Sequence, residues 1–185
     1  MFRQFIRGSV MALLVCAIQS GCSTAPKQSE RADVLSRAQQ TRPWFEQHVT
    51  GLRAQIDRSA GYIVFPDVAQ WGIVFGGGTT GRGVLFAPDG TQLGWTRIDN
   101  ASVGLQAGIQ GFRMLMVLEN AAEVAEFKEG KWNGSASGVA VLGEAGASAA
   151  APFQDGLAIY QGANRGLMAG VNVGLNSIRF EPLAP

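Results

Sequence analysis

The chain has 185 residues, 46% of them hydrophobic and 16% charged, with a formal net charge of +1. That composition excludes a disordered chain and supports one domain with a sizeable buried core. The near-zero charge excludes the broad basic field that a nucleic-acid partner calls for. Glycine is unevenly spread: of 25, only Gly8, Gly21 and Gly51 precede position 61. The chain therefore divides into a glycine-poor beginning and a glycine-rich remainder.

The first element is a targeting segment. Arg3 and Arg7 precede the apolar run VMALLVCAI, residues 10–18, which is too short to span a bilayer. The following QSGC resembles the lipobox of bacterial lipoproteins, with Ser20 and Gly21 before Cys22 and Gln19 standing where leucine is usual. The alternative, ordinary cleavage after Ala25, puts Pro26 just past the cut, a poor site. The lipobox resemblance implies that residues 1–21 are a signal peptide and that Cys22 is acylated as the lipid anchor. Cys16 then leaves with the signal, so no disulfide is expected. Losing Arg3 and Arg7 takes the formal charge from +1 to −1, so anchoring rests on the acyl chains. Ser23 after the cysteine resembles the outer-membrane class of lipoproteins, which implies an envelope protein facing the periplasm. Residues 22–29, CSTAPKQS, read as a small, polar tether.

Helical signals begin near Glu30. Val34, Leu35 and Ala38 fit a short helix that Pro43 ends or kinks. A second helix over 43–58 carries Phe45, Val49, Leu52 and Ile56 on one stripe. From Gly61 the period changes to two. YIVF is a strand ended by Pro66, and WGIVFGGG alternates Trp71, Ile73 and Phe75 against smaller residues, which places Trp71 in the core. Pro88, Asp89 and Gly90 form a turn. SVGLQAGIQG, residues 102–111, alternates as a strand, and FRMLMVLE is apolar on both faces, as a central strand would be. Asn120 caps a short helix with Glu123 three residues on. The first half of SGVAVLGEAGASAAA, then GLAIYQG and GLMAGVNVGLNSIRF, complete the strands, the last with a bulge near Asn176 or Ser177. The fold class is α+β: N-terminal helices on a twisted, glycine-rich antiparallel sheet with one short helical insertion, in a single domain over 30–185.

Gly76, Gly78 and Gly81 spell the G-x-G-x-x-G of a dinucleotide site. That motif needs a helix directly after it, because helix N–H groups hold the pyrophosphate. Gly83, Pro88 and Gly90 argue against one, and Arg82 and Gly83 stand where a P-loop needs Lys and Ser or Thr. The expected structure is a hairpin turning at residues 77–81 on positive-φ glycines, with no nucleotide partner. His48 is the single histidine, beside Phe45 and Val49, and with no thiols in the mature chain it anchors no Cys/His metal site. Asp67, Asp89, Asp99 and Asp155 are expected in turns, and none pairs at a telling spacing. Ser102, Ser135, Ser137 and Ser148 lack a nucleophile elbow. No enzyme, cofactor or metal is expected.

The segments SAGYIVFPDVAQWGIVFGGGTTGRGVLF, NASVGLQAGIQGFRMLMVLEN, EFKEGKWN and AIYQGANRGLMAGVNVG, in that order, resemble the SYLF lipid-binding domain family over about two thirds of the chain. The resemblance implies a compact α+β lipid-binding fold. Eukaryotic members bind phosphoinositides and yeast members also bind actin; for a periplasm-facing lipoprotein the transferable part is association with a phospholipid membrane. The strands with Gly or Ala on one face offer a smooth surface for the helix stripe, or alternatively for an acyl chain. The candidate membrane residues are Arg53 and Arg58 on the second helix, and Lys128, Lys131 and Trp132 in KEGKWNG. Trp44 and Trp95 are further interface candidates. The expected function is a lipid-anchored, non-catalytic envelope protein that binds phospholipid. The alternative is a tethered interaction module for another envelope protein.

Overall fold

The computed structural model describes residues 23–184 apart from 74–75, 103–107, 132–138, 143–147 and 166–177. After a 3₁₀ turn at Gln28–Glu30, helix α1 spans Arg31–His48, strand β1 is Val49–Thr50, and helix α2 is Leu52–Arg58. The break expected at Pro43 does not occur, and α1 runs through it. Pro43 and Gln39 are both exposed, so water can serve the Gln39 carbonyl that the proline leaves without a donor. The chain breaks instead at Gly51, whose φ of 87° is left-handed. The stripe of Phe45, Val49, Leu52 and Ile56 is buried throughout, but it is shared among α1, β1 and α2.

The strands are β2 (Gly61–Ile73), β3 (Gly76–Phe86), β4 (Gln92–Ser102), β5 (Gly108–Leu118), β6 (Val139–Leu142), β7 (Ser148–Ala149), β8 (Leu157–Arg165) and β9 (Ile178–Pro182). Helix α3, Ala121–Lys128, lies between β5 and β6. Among the described residues seven strands form one sheet in the order β6-β8-β5-β2-β3-β4-β9, and β1 pairs separately with β7. Three successive antiparallel strands, β2, β3 and β4, are followed by β5, which returns beside β2 in Greek-key order. The sheet is antiparallel except for β6, which runs parallel to β8.

Several boundaries differ from the sequence reading. Pro66 does not end β2; it sits in a register shift between Val64 and Asp67, a bulge, where a missing N–H is tolerated. Residues 77–81 form no turn: they are strand, paired with both β2 and β4. No helix follows Gly81. Of the alternating run 102–111, Ser102 ends β4 and residues 108–111 open β5, while 103–107 lie outside the described residues. The 88–90 turn forms as expected, with Gly90 at φ 91°. The cap forms too, Asn120 Oδ1 accepting from the N–H groups of Ala122 at 2.9 Å and Glu123 at 3.1 Å. The bulge expected near Asn176 lies outside the described residues.

Both faces of the sheet are buried over its centre. On the α1 face, Tyr62, Val64, Val84, Phe86, Trp95, Leu115, Val117, Ala158 and Tyr160 pack with Val34, Ala38, Phe45, Leu52 and Ile56 from the helices. On the α3 face, Ile63, Phe65, Leu85, Ile98, Phe112, Met114, Met116, Leu157 and Ile159 pack with Val124 and Phe127. Strand β5 feeds both clusters, which is why its sequence is apolar at every position from Met114 to Leu118. The Pro66 bulge shifts the alternation by one residue, so that Val68 joins Phe65 on the α3 face. Gly83 shows what the glycines allow. A Cβ there would stand 2.5 Å from the Val64 carbonyl oxygen and 2.6 Å from Phe65 Cδ1, so β3 lies against β2 only because that atom is missing.

Candidate functional site

Among the described residues, the sequence candidates do not come together. Arg53 and Arg58 are exposed on α2, which packs on the α1 face. Lys128 and Lys131 are exposed at the end of α3, on the opposite face. Lys131 Nζ is paired with Glu129 at 2.7 Å, and Lys128 Nζ lies 6.0 Å from the Phe180 ring centre. Cys22 and Trp132 lie outside the described residues. His48 stacks on Trp44 with ring centres 4.1 Å apart, and its Nδ1 lies 2.7 Å from the Trp44 carbonyl oxygen. Trp95 is buried, while Trp71, expected in the core, is 46% exposed. It lies flat across its cross-strand neighbour Gly78, where a Cβ would stand 2.9 Å from the indole. Alternation put Trp71 with Ile73 and Phe75, but on this face Ala69 and Trp71, past the Pro66 bulge, are both exposed.

Sheet register assembles a different group of charges. Asp67 of β2 is opposite Arg82 of β3, Arg82 is opposite Arg97 of β4, and Arg97 is opposite Arg179 of β9. Directly opposed residues share a face, so three arginines form a row across three strands on the α1 face. Arg179 is exposed and Arg82 and Arg97 are half-buried. Arg97 Nη2 donates to Asp99 at 3.1 Å, and Asp67 is ion-paired with Arg37 of α1. A guanidinium has five N–H donors, so one carboxylate partner leaves Arg97 with donors to spare. Sequence reasoning missed this row because its members are 15 and 82 residues apart. Only the strand pairing joins them.

The row abuts the start of the described chain. Arg82 Nη1 donates to the carbonyls of Ala25 at 2.8 Å and Thr24 at 3.3 Å. Glu181 Oε2 accepts from the Ala25 N–H and from Ser23 Oγ, both at 3.0 Å. Arg31 Nε donates to the Pro26 carbonyl at 3.2 Å. Thr24, Ala25 and Pro26 are buried, Ala25 inside the α1-face core. The expected tether is therefore packed over residues 23–26. The reason is that Arg82 and Glu181 satisfy its backbone and Ala25 fits under the first turn of α1. The hydrogen bond from the Ala25 N–H, with the bond from Ser23, holds the Glu181 carboxyl below its ordinary pKa.

Two neighbouring features are structural. A cleft of about 230 Å³ between α1 and the β2 bulge is lined by Glu30, Asp33, Arg37, Asp67 and Arg82 among others; it is charged and small for a lipid tail. On α2, Gln55 accepts from the Tyr160 hydroxyl at 2.5 Å and donates to the Ala151 carbonyl at 2.8 Å, while the Ala151 N–H donates to Tyr160 at 2.9 Å. Burial raises the Tyr160 pKa, which keeps the phenol neutral as a donor. This closed ring of bonds ties α2 to β8. The smooth surface that the sequence offered to a helix or an acyl chain is taken by the helix where Gly162 lies under Trp44, a Cβ there standing 2.5 Å from the indole.

Residues 99–182, from β4 to β9, match the family described as Ysc84, Las17-binding protein actin regulator. That stretch is similar to the SYLF family. No curated protein matches the chain. The SYLF match covers Arg179 and Glu181, while Arg82, Arg97 and the docked residues 23–26 precede it. Among the described residues no helix is long and apolar enough to cross a membrane, and no cluster of His, Cys, Asp or Glu is grouped to hold a metal ion.

Proposed function

We propose that this is a lipid-anchored, non-catalytic protein of the bacterial envelope whose SYLF domain associates with a phospholipid surface. The lipobox-like QSGC supplies the anchor at Cys22, and Ser23 favours the outer membrane, facing the periplasm. The observation that carries the reading is the row Arg82, Arg97 and Arg179, laid on the same face as the residues that follow Cys22. Guanidinium groups suit phosphate oxygens because they donate in pairs. Trp71 lies on the same face and is exposed, and indole favours the boundary between water and lipid.

The test uses the chain of residues 23–185, so that neither an acyl chain nor the apolar run 10–18 contributes. It should sediment with vesicles containing phosphatidylglycerol. A basic residue at an anionic surface is worth about 1 kcal/mol, and Asp99 already neutralises part of Arg97. Arg97→Ala with Arg179→Ala should therefore weaken binding by about tenfold, and Lys128→Ala with Lys131→Ala should change it little. Failure to bind both anionic and zwitterionic vesicles would remove the reading. It would favour the alternative, a module held by Cys22 alone that binds another envelope protein.

A further inference from the structure

We infer that residues 23–26 form a rigid strap that seats the domain on the bilayer in one orientation, with the arginine row and Trp71 turned toward the headgroups. The inference rests on Cys22 being the lipid anchor. A free eight-residue tether would let the domain wander, since a flexible chain of that length spans about 15 Å on average. The strap leaves no such freedom. Ser23, Thr24, Ala25 and Pro26 are held by Glu181, Arg82 and Arg31 at 2.8 to 3.3 Å, and Ala25 is 3% exposed. Adjacent Cα atoms are about 3.8 Å apart, so an acylated residue 22 would emerge within one residue of Ser23, beside β3, β4 and β9. The bilayer must then lie against that part of the α1 face. The surface there suits a bilayer: Arg179 and Arg97 for phosphate, Trp71 for the interface, and Ala69 and Thr80, small and exposed, between them. Asp67 and Asp99 balance the arginines, so the seat works by proximity and headgroup hydrogen bonds more than by long-range attraction. The α3 face, with Lys128 and Lys131, points away from the membrane.

The experiment uses the acylated full-length product reconstituted in phosphatidylethanolamine–phosphatidylglycerol vesicles with a lipid-attached quencher. A fluorophore is placed on cysteine introduced by Leu183→Cys, exposed just past β9, or by Lys128→Cys. Strong quenching at 183 and weak quenching at 128 supports the seat. A six-residue Gly/Ser spacer inserted between 22 and 23 precedes the strap and should level the two signals; Arg82→Ala with Glu181→Gln should do the same. Equal quenching at both sites without the spacer, in protein that stays with the vesicles, overturns the strap and leaves the anchor standing. Protein that is not retained by vesicles at all overturns both.

Discussion

Two regions attract attention as membrane contacts in the sequence, and they behave oppositely. Residues 22–29 look like a tether, yet Thr24, Ala25 and Pro26 are buried, Ala25 lies in the α1-face core, and the segment is bonded through Arg82 and Glu181. The lysines at the end of α3 look like a headgroup patch, yet they stand exposed to water, and Lys131 is already paired with Glu129 two residues away. Charges clustered in sequence are surrounded by water and by each other. Charges brought together by strand register are backed by a rigid sheet, and a rigid backing is what an oriented contact requires.

The largest way to probe this contrast is through packing. Phe127 holds α3 to the sheet from a fully buried position, so Phe127→Ala should cost about 3–5 kcal/mol, read as a lower denaturant midpoint. An unchanged midpoint would mean that α3 is held by its charges after all. On the other side, Arg82→Ala removes two bonds from a charged donor to the strap, and such bonds are worth about 1.5–3 kcal/mol when buried. Arg82 is only half-buried, so the loss should fall at or below the low end. Its clearest signature is faster hydrogen exchange at the Ala25 amide. Protection at that amide equal to wild type would show that the strap docks without the arginine.

Acid sharpens the same comparison. Glu181 has a folded pKa below its unfolded value, so its stabilising effect is present above the unfolded pKa and is lost as pH falls through the folded one. Exchange at Ala25 should therefore be flat from neutral pH down to the ordinary carboxylate range and accelerate below it. Glu181→Gln should abolish that acid step. The smallest effect is expected at the exposed pair Lys131–Glu129: Lys131→Ala should change stability by less than about 0.5 kcal/mol in chemical denaturation. A larger loss would make the α3 end more than a solvated surface.

Much of the fold was legible because it rests on local rules. Asn120 caps α3 by a side-chain bond within three residues, and Gly90 turns the chain where Pro88 and Asp89 announce it. The apolar run of β5 announced burial on both faces. The misreadings at Pro43 and Pro66 share a cause. Proline removes one donor, and whether that ends an element depends on what surrounds it: an exposed helix flank at Pro43 and a bulge at Pro66. The match to the SYLF family over 99–182 agrees with the ordered segments that suggested it.

The sequence by itself determined the class, the two-residue period after Gly61 and the both-sided burial of β5, because each depends on neighbours within a few positions. The tertiary structure alone decided the arginine row, the exposure of Trp71 and the docking of residues 23–26. Each of those depends on which strands lie side by side, and Arg82, Arg97, Arg179 and Glu181 become neighbours only when a Greek-key sheet sets their register.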